Sequence, residues 1–174
     1  MSTIRPVRAH VKAKEVSWGL VHPYPEDDGN TYKVPMYEME VSGTGAGGNA
    51  ISQSFEVIRF GVKRASANDA PSVVGLKDKQ SHTLKRVGYM GGSWQLYGNF
   101  LIHDGANDPQ SSTWGQIGCI EVTGKTGGTD NWAVFEALLL RISGARNAAD
   151  LGASKQFTID LDAVVQRPPL LKHP

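Results

Sequence analysis

Short runs in which apolar and polar residues alternate, each cut off by glycine or proline, limit most strongly how this chain can fold. Tyr37, Met39 and Val41 alternate with Glu38 and Glu40, and Phe157, Ile159 and Leu161 do the same within Lys155 to Asp162. A period of two is that of a strand with one face buried. Phe55 to Phe60 (FEVIRF) reads as a further strand, and Trp94 to His103 (WQLYGNFLIH) as a central one with Gly98 at a bulge. With 20 Gly and 9 Pro in 174 residues the chain is dense in turns, which argues against a long helical bundle.

The turns fall between these runs. Pro23 to Asn30 (PYPEDDGN) is a loop, and Gly43 to Asn49 (GTGAGGN) ends the strand before it. The glycine cluster lacks the Lys-Ser/Thr ending of a phosphate-binding loop and no amphipathic helix follows it, so it reads as a hairpin or flexible loop. Ala65 to Lys79 is a polar excursion. The one strongly helical stretch is Asn131 to Ser143 (NWAVFEALLLRIS), with Thr129 or Asp130 as N-cap, Arg141 in the last turn and Gly144 just beyond. It is nearly apolar all round and is expected to be substantially buried against the sheet.

No internal repeat or charge block divides the chain, so residues 1–174 read as one domain, mainly β (β-rich α+β) with one main helix packed on the sheet. Strands and loops fill about 1–50, and the chemistry-bearing core spans 93–162. The Pro-containing tail RPPLLKHP follows the last strand.

Lys+Arg 18 against Asp+Glu 17 leaves a net charge of +1, which gives no electrostatic reason to bind nucleic acid or an anionic membrane surface. The lone Cys119 excludes an intramolecular disulfide and a multi-cysteine zinc site, and no His-Glu-x-x-His spacing occurs. No cofactor or metal is expected. No apolar run approaches the roughly 20 residues of a membrane-spanning helix, and the basic start lacks a following apolar segment. The expectation is a protein made in the cytoplasm without a signal peptide.

His103 closes an apolar strand just before Asp104-Gly105, and Cys119 follows sixteen positions later in Gly118-Cys119-Ile120-Glu121-Val122. Alternation puts Cys119 and Glu121 on one face and Ile120 and Val122 on the other, while His103 opposes Ile102. Were the two segments neighbouring strands, imidazole and thiol would meet at one end of the sheet. A free thiol with pKa about 8.5 is only a few per cent thiolate at neutral pH, and an adjacent imidazole raises the reactive fraction. Gly118 leaves room for a substrate carbonyl, and backbone N–H groups at the turn could hold an oxyanion. The competing reading of Cys119 is a small buried hydrophobe.

At Phe100-Leu101-Ile102-His103-Asp104-Gly105 and Gly118-Cys119-Ile120-Glu121-Val122 the chain resembles the L,D-transpeptidase catalytic domain family, with His before Gly-Cys and a helix soon after. The resemblance covers roughly Ser93 to Asp162. It departs where Gln116-Ile117 replaces the family's Ser-His, where Glu121 stands for the Arg or Asn after the cysteine, and in a short connecting loop. These differences resemble the divergent type VI secretion toxins of that family, which attack peptidoglycan peptides in a rival's periplasm. The resemblance implies a β-sandwich or sheet with one main helix, Cys119 as nucleophile, His103 as base and Gly118 as backbone contributor to an oxyanion site. It also implies export by a dedicated secretion system, a peptidoglycan stem-peptide substrate, a cognate immunity protein and a secretion-machine partner.

Substrate contacts are expected from Trp114, Asp104, Gln116, Ser112 and Tyr97, which lie near the pair in sequence. The Asp104 side chain, on a strand, points away from His103, and a backbone carbonyl often orients the imidazole in the family. His82 reads as a surface residue, and His22 and His173, flanked by prolines, as exposed. The alternative to an enzyme is a cell-wall-binding or structural β module of a secretion or phage-like apparatus.

Overall fold

The computed structural model describes residues 3–174, so that Met1 and Ser2, at the head of the expected N-terminal strands, lie outside the described residues. A long hairpin starts the architecture. β1 (Val7–His22) leads through the two-residue β2 (Tyr24–Pro25) into β3 (Thr31–Thr44), which folds back antiparallel on β1. β4 (Ala50–Ile58) returns along β3 across the glycine loop, where Gly45 N–H donates to the Asn49 carbonyl at 2.9 Å. β5 (Phe60–Arg64) and β6 (Ser72–Gly75) form a small sheet with β2. The expected polar excursion thus contains a strand.

β7 (Gln80–Thr83), β8 (Lys85–Val87), β9 (Ser93–Tyr97) and β10 (Phe100–Asp104) follow. Next come β11 (Thr113–Gly115), β12 (Ile120–Val122) and the short hairpin β13 (Lys125–Thr126) and β14 (Thr129–Asp130). Helices α1 (Asn131–Ser143) and α2 (Ala148–Ser154) precede β15 (Phe157–Leu161) and β16 (Leu171–His173). The fold is mainly β with two helices, a β-rich α+β arrangement.

The large sheet runs β7-β15-β1-β3-β4-β12-β10-β9-β8, with β11 added to β1 and β16 to β3. β7 and β8 end that order on opposite sides, yet only Leu84 separates them in the chain. The sheet therefore curls until its ends come together. Leu84 is fully buried at this seam, and its N–H donates to the Phe157 carbonyl at 2.9 Å.

Burial explains the curl. Tyr37, Met39 and Val41 of β3 enter the major core with Phe55, Phe135 and Phe157, while Tyr32, Val34 and Met36 enter a smaller core with Val21, Ile58 and Val62. Side chains at odd and even positions of one strand thus feed cores on opposite faces. β1 makes the same change through register shifts between Val11 and Ser17. α1 caps the major core, with Phe135 edge-on to Phe55 at 5.8 Å. Its N-cap is Asp130, which accepts from Trp132 N at 2.9 Å, and Gly144 closes it in the left-handed conformation.

Three expectations change. α1 buries one face through Phe135, Leu138, Leu139 and Ile142 and leaves Ala133, Ala137 and Arg141 exposed, because it lies on the outside of the curl. The stretch from Trp94 to His103 is two strands, since Gly98, at φ 53°, reverses the chain and pairs Tyr97 with Phe100; the irregularity lies beside it, between the Tyr97–Phe100 and Gln95–Leu101 pairs. His173, expected in an exposed tail, sits on β16 against Trp18 with ring centroids 5.9 Å apart. Among the described residues no helix is long and apolar enough to cross a membrane.

Because Leu84 packs where the two sheet ends meet, Leu84→Ala is expected to cost about 2–5 kcal/mol of unfolding free energy, measured by chemical denaturation. A loss below about 1 kcal/mol, the scale of an ordinary surface change, would show that the seam does not hold the sheet.

Candidate active site

β10 and β12 are parallel neighbours with Ile102 opposite Ile120, His103 opposite Glu121 and Asp104 opposite Val122. Ile102, Ile120 and Val122 belong to the major core, so His103 and Glu121 turn to the other face. Cys119, two residues before Glu121, shares that face. Imidazole and thiol line one cleft of about 420 Å³, together with Gln116, Tyr24, Tyr89 and Asn99, but each hydrogen-bonds a backbone carbonyl rather than the other.

Gly118 makes the approach to β12 possible. Its φ is 102°, and a Cβ there would lie 2.7 Å from Gly75 Cα. Only glycine fits that turn without moving backbone.

The imidazole is held on three sides. His103 Nδ1 donates to the Asp104 backbone carbonyl at 2.7 Å, and since a carbonyl only accepts, Nε2 of the neutral ring is left unprotonated. The Trp114 ring is stacked with the imidazole at 6.4 Å and 11°, and Tyr89 stands edge-on at 6.0 Å. His103 is 4% exposed and burial lowers its pKa, against the opposing hydrogen bond to Asp104. Cys119 is 8% exposed, its thiol donates to the Asn99 carbonyl at 3.3 Å, and burial raises its pKa. The Leu101 backbone pulls the thiol the other way, and Glu121 adds to the rise. The pair therefore rests as thiol and neutral imidazole.

Three residues beside this pair have buried polar atoms without partners. Glu121 is 0% exposed and neither carboxylate oxygen accepts a hydrogen bond. Burial, and then Asp104, push its pKa up to about 8, so at neutral pH it is mainly protonated. Asp104 itself is raised to about 6 by burial and then by Asp130, and its Oδ1 is also buried without a partner. Gln116, 3% exposed, accepts from Gly118 N–H through Oε1 at 3.0 Å, while its Nε2 has no acceptor. An unsatisfied buried donor or acceptor costs roughly 1–3 kcal/mol.

The remaining candidates divide. Trp114 flanks the imidazole and Asp104 accepts from it through its backbone carbonyl, but neither lines the cleft. Ser112 is exposed on the connecting loop, its N–H donating to the Asp108 carbonyl at 2.8 Å, and it does not line the cleft. Tyr97 also lies outside the lining, packed on Phe100 at 5.3 Å and on His82 at 4.9 Å. His82 is half-buried there rather than free on the surface, with Nε2 2.7 Å from Gln80 Oε1. His22 is half-buried too, and a Cβ on Gly115 would meet its ring at 2.5 Å. Among the described residues no group of three or more His, Cys, Asp or Glu could hold a metal ion.

Tyr24 and Tyr89 were not expected at the site. Tyr24 sits on β2, inside the stretch Pro23 to Asn30 expected as a loop. Tyr89 belongs to Gly88-Tyr89-Met90-Gly91-Gly92, where Met90, Gly91 and Gly92 all have positive φ. That glycine-flanked segment was the available signal for a tight turn ahead of β9.

A carboxyl whose folded pKa lies above its unfolded value contributes most below the unfolded value, 4.5 for Glu121, and loses that contribution as pH rises toward about 8. Glu121→Gln removes this dependence. The variant is expected to gain stability relative to the parent between pH 5 and pH 8, by on the order of 3 kcal/mol. Urea unfolding at the two pH values measures it, and a pH-independent difference would mean that Glu121 is ionised throughout.

No protein-family model matches the chain, and searches of curated proteins and of solved structures return no significant match.

Proposed function

We propose that the chain is a cysteine-dependent acyl transferase acting on peptidoglycan stem peptides, by L,D-carboxypeptidase or endopeptidase cleavage or by L,D-transpeptidase exchange, and delivered as an antibacterial effector. The observation that carries the chemistry is His103, locked with Nε2 as its free base in the same cleft as Cys119. The substrate class is supported by the motif resemblance at Phe100–Gly105 and Gly118–Val122. A cleft rimmed by Tyr24 and Tyr89 also suits an extended peptide.

Cys119 Sγ attacks the carbonyl carbon of the stem peptide as its proton passes to His103 Nε2. His103 then returns the proton to the departing amine, leaving a thioester on Cys119. Water or a second amine resolves it. As an effector the protein meets a cognate immunity partner in its producer, and this cleft is the surface such a partner would close.

The thiol's burial and its bond to the Asn99 carbonyl favour a second reading, a non-catalytic binding module with Cys119 as core filler. Mass spectrometry of tetrapeptide and cross-linked muropeptides separates the two. The wild type is expected to trim, exchange or cut them; Cys119→Ala abolishes the change, and His103→Ala lowers it about 10²–10⁴-fold. Unchanged fragments under reducing conditions would favour the binding module.

The pH profile has a set sign. Burial lowers the His103 pKa, so the acid limb of kcat/KM is expected below the ordinary imidazole value of 6.5. A limb above 6.5 would show that another group is the base.

A further inference from the structure

Gln116 holds a donor for which the folded protein has no use. Its Oε1 accepts from the N–H of Gly118, the residue before the nucleophile, and this bond identifies the amide oxygen because only oxygen accepts. Nε2, on the same carbon, is therefore held beside the Ile117–Gly118 peptide, one residue before the nucleophile. It is buried, has no acceptor, and belongs to a side chain that lines the cleft. Gln95, also in the lining, has its own amide donor engaged by the Gly98 carbonyl at 2.7 Å.

We propose that the Gln116 side-chain amide is the oxyanion donor of this site. Resting on the acyl-transfer reading, it is a catalytic residue in the strict sense. When Cys119 Sγ bonds to the substrate carbonyl carbon, the C=O π electrons move to oxygen and the thiol proton moves to His103 Nε2. Gln116 Nε2–H then donates to that oxygen. Collapse re-forms the carbonyl, breaks the C–N bond and sends the proton from His103 to the amine. A donor held in place before the reaction needs no reorganisation when charge develops, and it acts in a cleft with no Lys, Arg, Asp or Glu in its lining. A site of this kind leaves the donor unpaired until substrate arrives.

The test uses two probes of Cys119 that need no turnover of peptidoglycan. Iodoacetamide alkylates sulfur by displacing iodide and forms no oxyanion. An N-acetyl-dipeptide aldehyde adds to the same sulfur and forms a hemithioacetal whose oxygen needs a donor. Its affinity is read as protection of Cys119 against iodoacetamide. Gln116→Met keeps neutrality and loses both the donor and the acceptor for Gly118 N–H; Gln116→Ala loses both without a long side chain in the cleft, whereas a buried Glu would be protonated and could still donate. Thermal unfolding confirms that each variant is folded.

Both variants are expected to weaken aldehyde protection by about 10²-fold or more, the usual effect of one oxyanion donor. The limiting alkylation rate of the thiolate, taken from its pH profile, should stay within about threefold of wild type, since no charge develops on a carbonyl oxygen there. Protection equal to wild type in either folded variant overturns the Gln116 role and leaves Cys119 as nucleophile. A wild-type Cys119 that reacts with neither probe until unfolded overturns the acyl-transfer reading, and the oxyanion role with it.

Discussion

The parallel pairing of β10 with β12 is the constraint on which the site depends. Three apolar side chains, Ile102, Ile120 and Val122, enter the major core from these two strands and fix their register. A slip of one residue would turn Cys119 and Glu121 inward and drive Ile120 out of the core, so the core holds Cys119 in place. Parallel neighbours also require a crossover. The connection from Gly105 to Cys119 supplies it, running past β1 as β11 and bringing Trp114 onto His103 on the way.

Desolvation sets the electrostatics of the same region. Cys119, Glu121 and Asp104 are pushed up and His103 is pushed down, and burial is the leading cause for each. All four shifts favour the neutral form. At pH 7 this keeps Cys119, His103 and Glu121 neutral, while Asp104, raised only to about 6, ionises. Low polarity around these groups makes charge costly and strengthens any hydrogen bond made to it. A structure that leaves Glu121 and Gln116 Nε2 without partners gives up stability beside Cys119 and His103.

Much of this was legible from local pattern. α1 matches its expected span, because Asp130 and Gly144 are strong stop signals on either side of an apolar run. The opposition of Ile120 and Val122 to Cys119 follows from strand period alone. The Gly98-Asn99 reversal was written in the chain as a two-residue turn, but the apolar residues on either side hid it. β1 was harder to see. Its inward face changes between Val11 and Ser17, so the middle of the strand reads as a polar stretch with no period. β16 was invisible for a different reason: Leu171–His173 becomes a strand only because β3 offers it an edge.

By itself the sequence determined the local elements, the residue types able to do chemistry, and the face of its own strand on which each would lie, because those properties depend on neighbours within a few positions. Only the tertiary structure decided that Glu121 is buried with nothing to accept from, that Gln116 keeps a free donor beside Gly118, and that Tyr24 and Tyr89 rim the cleft. Burial and hydrogen-bond satisfaction are sums over atoms brought together from distant parts of the chain. No window of sequence contains them.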